Sequence, residues 1–450
     1  MDWGATGRAY RITAASAYSA GSYKVALSNT AGTATSTSAT LTVKLVNAGA
    51  NTPAVVNAAN AFLATLSADQ KAIATSATSS ATVQFDYALA NAILWTNLPG
   101  DRHGLRLNTS TLSAAQLAAA NIIIAKALSA TGITLMNELR AADQVLASAQ
   151  GSGVGGGMGA TPPTDGAGTP PSGAAIPPAG TAPPPPATGT GGAAGMGYGT
   201  DLYSIAFIGT PSVTTPWILQ VAGHHLAYNL TYNTGKVSAT PAFIGVEPPN
   251  WSVAPDGLVT VTGNAVAAGT AHAPLEKQRA AVYLLAESIY ADNAASAAAR
   301  LPGAFSDVLM GASGNSDANY KTLAYPSSGR GLQYSAMTAT QMACLRAAIE
   351  AWVNTQAADV ASALLGDYLS DTALANTYVA YGVGQNGSKA DFSAYPNSLS
   401  SPLDAQRSYL RIDGPRVWIE FVVQQGVLYG NNIHYHSIWR DKTADYGGSF

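Results

Sequence analysis

The chain has 450 residues and a formal charge of −3, from 22 basic and 25 acidic side chains. Only 10% of its residues are charged, against a usual value of about 25%. Such a balance excludes a nucleic-acid binder, which needs a basic face for phosphate. One cysteine excludes an intrachain disulfide and a multi-cysteine zinc site, and no run of about 18 apolar residues offers a membrane span.

In chain order, residues 1–48 begin without the apolar stretch of a signal peptide. Tyr23, Val25 and Leu27, the turn at Asn29–Gly32, then Ala39, Leu41 and Val43 predict a β-hairpin. The phrase Ala20–Gly32 resembles the last two strands of a bacterial immunoglobulin-like domain, a kind of domain that is usually extracellular. A lone hairpin is marginal, so the expectation is a partial domain, a natural start upstream of Met1 and a lost export signal.

Residues 52–150 read as helical. Ala59, Phe62, Leu63 and Leu66 start one apolar stripe; Leu117, Ile122, Ile123, Ile124 and Leu128 make another, with Thr111 and Ser113 as candidate caps. A non-helical patch, Trp95–Leu107, lies between them. Residues 151–200 hold 10 of the 24 prolines, 16 of the 45 glycines and one charge. That composition cannot bury a core and predicts a flexible segment. Residues 201–263 alternate as strands, with a hairpin turn at Asn233-Thr234-Gly235. Residues 275–300 read as one long Ala-rich helix, 338–365 as further helix, and 408–423 and 432–439 as strands. Cys344 sits in the second helical stretch as a small core residue. Helices before and between the strands of an antiparallel sheet give an α+β fold, with 201–450 carrying the site.

Histidine is scarce, and four of the six fall in two tight clusters, His224-His225 and His434-Tyr435-His436. In a strand, His434 and His436 share a face and can both reach one ion, with Tyr435 opposite. Adjacent His224 and His225 would point to opposite faces, so one of them completes a three-histidine site unless the backbone bends. Three protein ligands leave an open position, the arrangement of a catalytic rather than a structural metal. Glu420 interrupts the apolar run 417–423, sharing a face with Trp418 and Val422 while Val417, Ile419, Phe421 and Val423 share the other. A carboxylate there pairs with a cation such as Arg411 or Arg440, ligates the ion, or serves as a general base. Arg440 and Asp441 close a charged C-terminal phrase. Arg102, His103 and Arg106 follow Trp95 and can grip an anionic substrate group. There is no Gly-x-Ser-x-Gly elbow, P-loop, dinucleotide fingerprint or His-Glu-x-x-His helix.

Taken together, the phrases FLATLSADQ (62–70), LPGDRHGLRL (98–107), LSATGI (128–133), PWILQVAGHHLAYNL (216–230), PAFIGVEP (241–248), YLRIDGPRVWIEF (409–421) and HYHSIWRD (434–441) resemble a secreted family of unknown function, DUF3500. The resemblance runs from about residue 55 to the C-terminus. It implies an exported protein in which 52–150 and 201–450 build one unit and 151–200 is an insertion. Its pattern covers Trp95, Arg102, Gly104, His224, His225, Asn229, Gly245, Arg411, Gly414, Pro415, Glu420, His434, His436, Trp439, Arg440 and Asp441. The family supplies no reaction.

The resulting expectation is a secreted or cell-surface metal-dependent hydrolase, acting on an ester, amide or glycosidic bond of an extracellular small molecule or polymer. A divalent ion, zinc by preference, sits on His434, His436 and His224 or His225. Glu420 activates water, Arg411, Arg440 and Asp441 assist catalysis, and Arg102, Asn229 and Trp439 hold substrate. Copper on the same imidazoles, hence an oxidoreductase, and a non-catalytic surface or polymer-binding protein are the rivals.

Overall fold

The computed structural model describes residues 21–41, 49–75, 81–151, 197–233, 236–255, 257–261, 270–304, 323, 325–383, 409–429 and 432–450. The expectations for residues 10–20, Val43 and most of the Pro/Gly-rich segment lie outside the described residues. The hairpin itself is there: Ala26–Asn29 pairs antiparallel with Gly32–Thr35, and all eight residues of the two strands are exposed.

Eight strands form the centre of one sheet: β1 (Ser204–Ile208), β2 (Trp217–Ala222), β3 (Leu226–Asn233), β4 (Ala242–Val246), β5 (Tyr378–Val383), β6 (Tyr409–Asp413), β7 (Val417–Gln425) and β8 (Ile433–Asp441). Their spatial order is β5-β6-β7-β8-β4-β3-β2-β1, and every neighbouring pair is antiparallel. Arg300–Ala304 adds a parallel strand beyond β5, and Gln84–Phe85 one beyond β1. The α+β expectation therefore holds, with the two sequence halves on either side of the Pro/Gly-rich segment joined in one sheet.

The period of two divides the sheet into unlike faces. Val417, Ile419, Phe421 and Val423 join the larger core, while Val422 belongs to a smaller cluster on the other side. Helices cover the first face. They are α1 (Thr52–Thr65), α2 (Ala114–Ala127), α3 (Ala130–Gly151), α4 (Glu276–Tyr290), α5 (Asn293–Ala299), α6 (Ala339–Val353) and α7 (Ala358–Tyr368). Phe421 meets Tyr283 of α4 and Trp352 of α6 edge-on, with ring centroids 6.4 and 6.2 Å apart. Burying one such ring stabilises the fold by about 1.5–3 kcal/mol. The indole of Trp352 also donates to Ser437 Oγ at 3.0 Å, which satisfies its buried N–H.

Local sequence explains where the helices begin and end. Ser113 and Gln116 form a capping box at the start of α2, so Ser113 rather than Thr111 is the cap. The α2 stripe buries Ile123, Ile124 and Leu128, but Ile122 points to solvent at 52% exposure. The expected single helix over 275–300 is two. Asp292 accepts from the N–H groups of Ala294 and Ala295, capping α5 and breaking the run. Residues 338–365 likewise divide at Asn354–Ala357 into α6 and α7. Cys344 lies half-buried against the core.

The second face is covered by the loop that follows Trp95 and by the chain's last residues. Trp95 stacks on Phe243 at 6.0 Å and donates to Tyr446 Oη at 2.8 Å. This face carries the histidines.

Candidate metal centre

Antiparallel order brings the start of β3, the end of β4 and the start of β8 to one end of the sheet. Leu226 pairs with Ile244, and Val246 with Tyr435. The histidine clusters flank those positions. His224 and His225 form the two-residue turn between β2 and β3, closed by the Gly223 N–H donating to Leu226 O at 2.8 Å. A turn is not a strand, so the expected opposition of the two side chains does not apply. Their rings lie 3.6 Å apart, centroid to centroid. His434 and His436 share the second face of β8 as the period requires, with ring centroids 4.3 Å apart, while Tyr435 packs on Phe421 on the helix face.

The two clusters meet. One ligand atom each from His225, His434 and His436 lies within 4.8 Å of the others, all three residues being buried. His225 Nε2 stands 2.9 Å from His434 Nε2. His436 Nε2 is buried with no hydrogen-bond partner, and its Nδ1 lies 3.5 Å from Asn97 Nδ2. Gly245 of β4 makes this approach feasible. A Cβ there would stand 2.8 Å from His436 Cδ2 and 2.9 Å from His225 Cδ2.

Two buried carboxylates serve the cluster. Asp143 of α3 places Oδ1 3.1 Å from His224 Nδ1 and 3.3 Å from His225 Nδ1, and its Oδ2 accepts from Tyr203 Oη at 2.9 Å. Glu247, just past β4, turns Oε2 toward His434 Nδ1 at 3.9 Å, while Oε1 accepts the N–H groups of Leu428 and Tyr429 at 2.8 Å each. Carboxylates behind ligating imidazoles fix ring orientation and tautomer in metal sites. Sequence reasoning missed both. Asp143 did leave a signal: it holds one position of the buried stripe Leu139, Ala142, Asp143, Leu146, at helical spacing. Glu247 ends an apolar strand, the same kind of signal that singled out Glu420.

Burial sets the protonation states. It pushes His224 down to about 4, with His225 adding to the effect and Asp143 opposing it. Burial, then the neighbouring imidazoles, takes His434 and His436 well below the usual histidine value. Burial works against ionisation of Asp143, but His224 and His225 hold it below the ordinary carboxylate range. Glu247 is raised by burial, against the lowering effect of the N–H groups it accepts. Near neutral pH His224, His434 and His436 are therefore uncharged, the form of imidazole that binds a metal ion. Tyr198 closes one side, half-buried and edge-on to His224 at 4.9 Å.

The remaining expected site residues lie elsewhere. Glu420 is fully buried, opposite Arg411 across the β6–β7 pairing, and accepts from Tyr409 Oη at 2.7 Å. Glu420 is in neither donor set that the histidines form. Arg411 donates to Gly329 O at 3.0 Å and stacks over Trp418. Arg440 follows His436 by four residues, about 13 Å along a strand, and pairs with Asp445 at 2.9 Å. Asp441 faces the helices, accepting from Tyr368 Oη at 2.9 Å and from Arg416 Nη2 at 2.6 Å. Trp439 also faces the helices, edge-on to Tyr368, so it is core. Asn229 accepts from Gln220 at 2.6 Å and donates to Pro241 O at 2.9 Å. Arg102 is buried and spends its guanidinium on four carbonyls of its own loop: Thr96, Leu98, Gly100 and Asp101. It shapes the loop that covers the site rather than facing a ligand. His103 packs edge-on to Phe85, and Arg106 pairs with Asp101.

The model of a protein family of unknown function, DUF3500, matches residues 48–448, and the chain belongs to that family. No curated protein and no solved structure matches it. No helix among the described residues is long and apolar enough to cross a membrane.

Proposed function

We propose that the protein is a secreted metal-dependent hydrolase whose ion is held by His225, His434 and His436. The observation that carries this reading is the convergence of three buried imidazoles from two distant segments, with His436 Nε2 lacking a hydrogen-bond partner. The donor set fits zinc: three protein nitrogens and an open position. Such an ion supplies Lewis acidity and lowers the pKa of a water at the open position to about 7.

The chain's own residues do the rest. Glu247 and Asn97 orient His434 and His436 through their Nδ1 atoms. The loop held by Arg102, with Trp95 beneath it, covers the face and limits water. Tyr198 keeps its proton, because burial and then the carboxylates of Glu247 and Asp143 push its phenol up. It is thereby suited to donate a hydrogen bond to a substrate oxygen. Glu420 has no part in this reading, since its carboxylate accepts from Tyr409 and it belongs to neither donor set the histidines form. The substrate is an ester, amide or glycosidic bond of an extracellular molecule. Export is supported by the likeness of the N-terminal hairpin to extracellular immunoglobulin-like domains.

The test is elemental analysis of the purified protein beside a His434→Ala, His436→Ala variant, with circular dichroism as the folding check. The expected result is stoichiometric zinc in the wild type, less zinc in the folded variant, and loss of ester- or amide-cleaving activity with the lost metal. Copper in place of zinc would move the chemistry to oxidation–reduction. A wild type without metal after supplementation would sink the reading.

A further inference from the structure

Resting on that reading, we infer that the centre holds two ions, with the imidazole of His225 as the bridge between them. Two sets of donor atoms lie in this region, and they share one residue. His225, His434 and His436 form the first; Asp143, His224 and His225 form the second, also buried throughout.

His225 faces the two sets with different nitrogens. Its Nε2 stands 2.9 Å from His434 Nε2. Its Nδ1 is buried and stands 3.3 Å from Asp143 Oδ1. In a simple carboxylate–histidine pair behind a single metal, Nδ1–H would donate along a hydrogen bond to the carboxylate. Here one oxygen of Asp143 faces two such nitrogens at once, His224 Nδ1 at 3.1 Å and His225 Nδ1 at 3.3 Å, which is the arrangement of donors around a shared ion rather than of one paired ring.

The spacing of the second set suits an ion. Zinc–nitrogen bonds of about 2.0–2.1 Å place tetrahedral donor atoms roughly 3.3–3.4 Å apart. Asp143 Oδ1 lies 3.1 and 3.3 Å from the two Nδ1 atoms. The other oxygen of Asp143 is fixed by Tyr203 Oη at 2.9 Å, so Oδ1 is held facing the two Nδ1 atoms.

Charge points the same way. Two divalent ions bring four positive charges into a region with 0–8% exposure of every ligating histidine. Asp143 supplies one negative charge and Glu247 another, 3.9 Å from His434 Nδ1. His225 supplies a third when both its nitrogens bind metal: its single ring proton leaves to solvent, and the ring becomes an anion between two cations. Metal binding then releases a proton beyond those expected of neutral imidazoles, which lose none.

The experiment loads wild-type protein, His224→Ala and Asp143→Asn with zinc, removes the free ion by dialysis, and counts bound metal per chain. His224 belongs to the second set alone, so its variant keeps the first intact. Two ions in the wild type and one in His224→Ala is the expected result, with Asp143→Asn also at one. Copper(II)-loaded wild type should show the paramagnetic spectrum of a coupled pair, and His224→Ala that of an isolated ion. One ion in both proteins overturns the two-ion centre and leaves the single-ion hydrolase standing. No ion in the wild type overturns both. Where a variant does not fold, the wild-type spectrum decides alone, because uncoupled copper rules out the shared ring.

Discussion

Four imidazoles share one buried space, and the cost of charging His224, His434 and His436 there governs the residue scale. His224 titrates near 4 instead of 6.5 because burial penalises its cation, and burial does the same to His103. The unfolded chain therefore binds protons that the folded chain refuses. Stability rises with pH where that is so, and it is lost as pH falls from about 6.5 through about 4. Each unit of such a shift corresponds to about 1.4 kcal/mol. Urea melts in the presence of chelator, run from pH 7.5 down to 4.5, are expected to show falling stability across that window. A flat profile from 6.5 to 5 would refute the assignment. Behind the ligands, Glu247→Gln removes the charge facing His434 while keeping the two backbone hydrogen bonds open to its carbonyl oxygen. Second partners of this kind are worth about 10–100-fold in metal affinity, and competition with a chromophoric chelator is expected to show a loss in that range.

At the scale of elements, three pieces of regular structure converge on the site, and one glycine allows them to. The β2–β3 turn delivers His225, β8 delivers His434 and His436, and β4 runs between them with Gly245 at the crossing. A methyl group there would press on both imidazoles and on Tyr435 O, at 3.0 Å or less. Overpacking of this kind costs about 1–3 kcal/mol. Gly245→Ala is expected to lower thermal stability and weaken metal binding at least tenfold while leaving the helical far-ultraviolet signal unchanged. Unaltered metal affinity would show that the rings tolerate displacement. The loop after Trp95 depends equally on Arg102, whose four carbonyl contacts no lysine can reproduce, since a guanidinium offers a fixed fork of donors. Arg102→Lys is expected to increase protease cutting within 95–104 and to cost about 2 kcal/mol by losing charge-assisted hydrogen bonds to the loop carbonyls.

At the scale of the whole molecule, the sheet joins segments on both sides of the Pro/Gly-rich stretch, and the site draws on its strands and on α3 together. A ligand that binds only the folded state stabilises it by about 2.7 kcal/mol at one hundred times its dissociation constant. Adding zinc to stripped protein is expected to raise the melting temperature, and to raise it less in the His434→Ala, His436→Ala variant; an equal rise in both would place the ion elsewhere. Much of this architecture is written locally. Strand period put Val417, Ile419, Phe421 and Val423 on one face and His434 with His436 on one face, because alternation depends only on neighbouring residues. Ser113 marked a helix start, because a cap needs only its own first turn. Family membership was legible from short phrases spread over most of the chain. What distance in sequence separates, only the tertiary fold could decide. The charged phrase at 440–441 sits beside the histidines in sequence, yet strand geometry carries it to the other end of β8 and binds it to Asp445, Arg416 and Tyr368. Asp143, 81 residues from His224, reaches the site because α3 packs its apolar stripe on the sheet and carries the carboxylate with it. Pairing order, not composition, brought His225 to His434 across 209 residues.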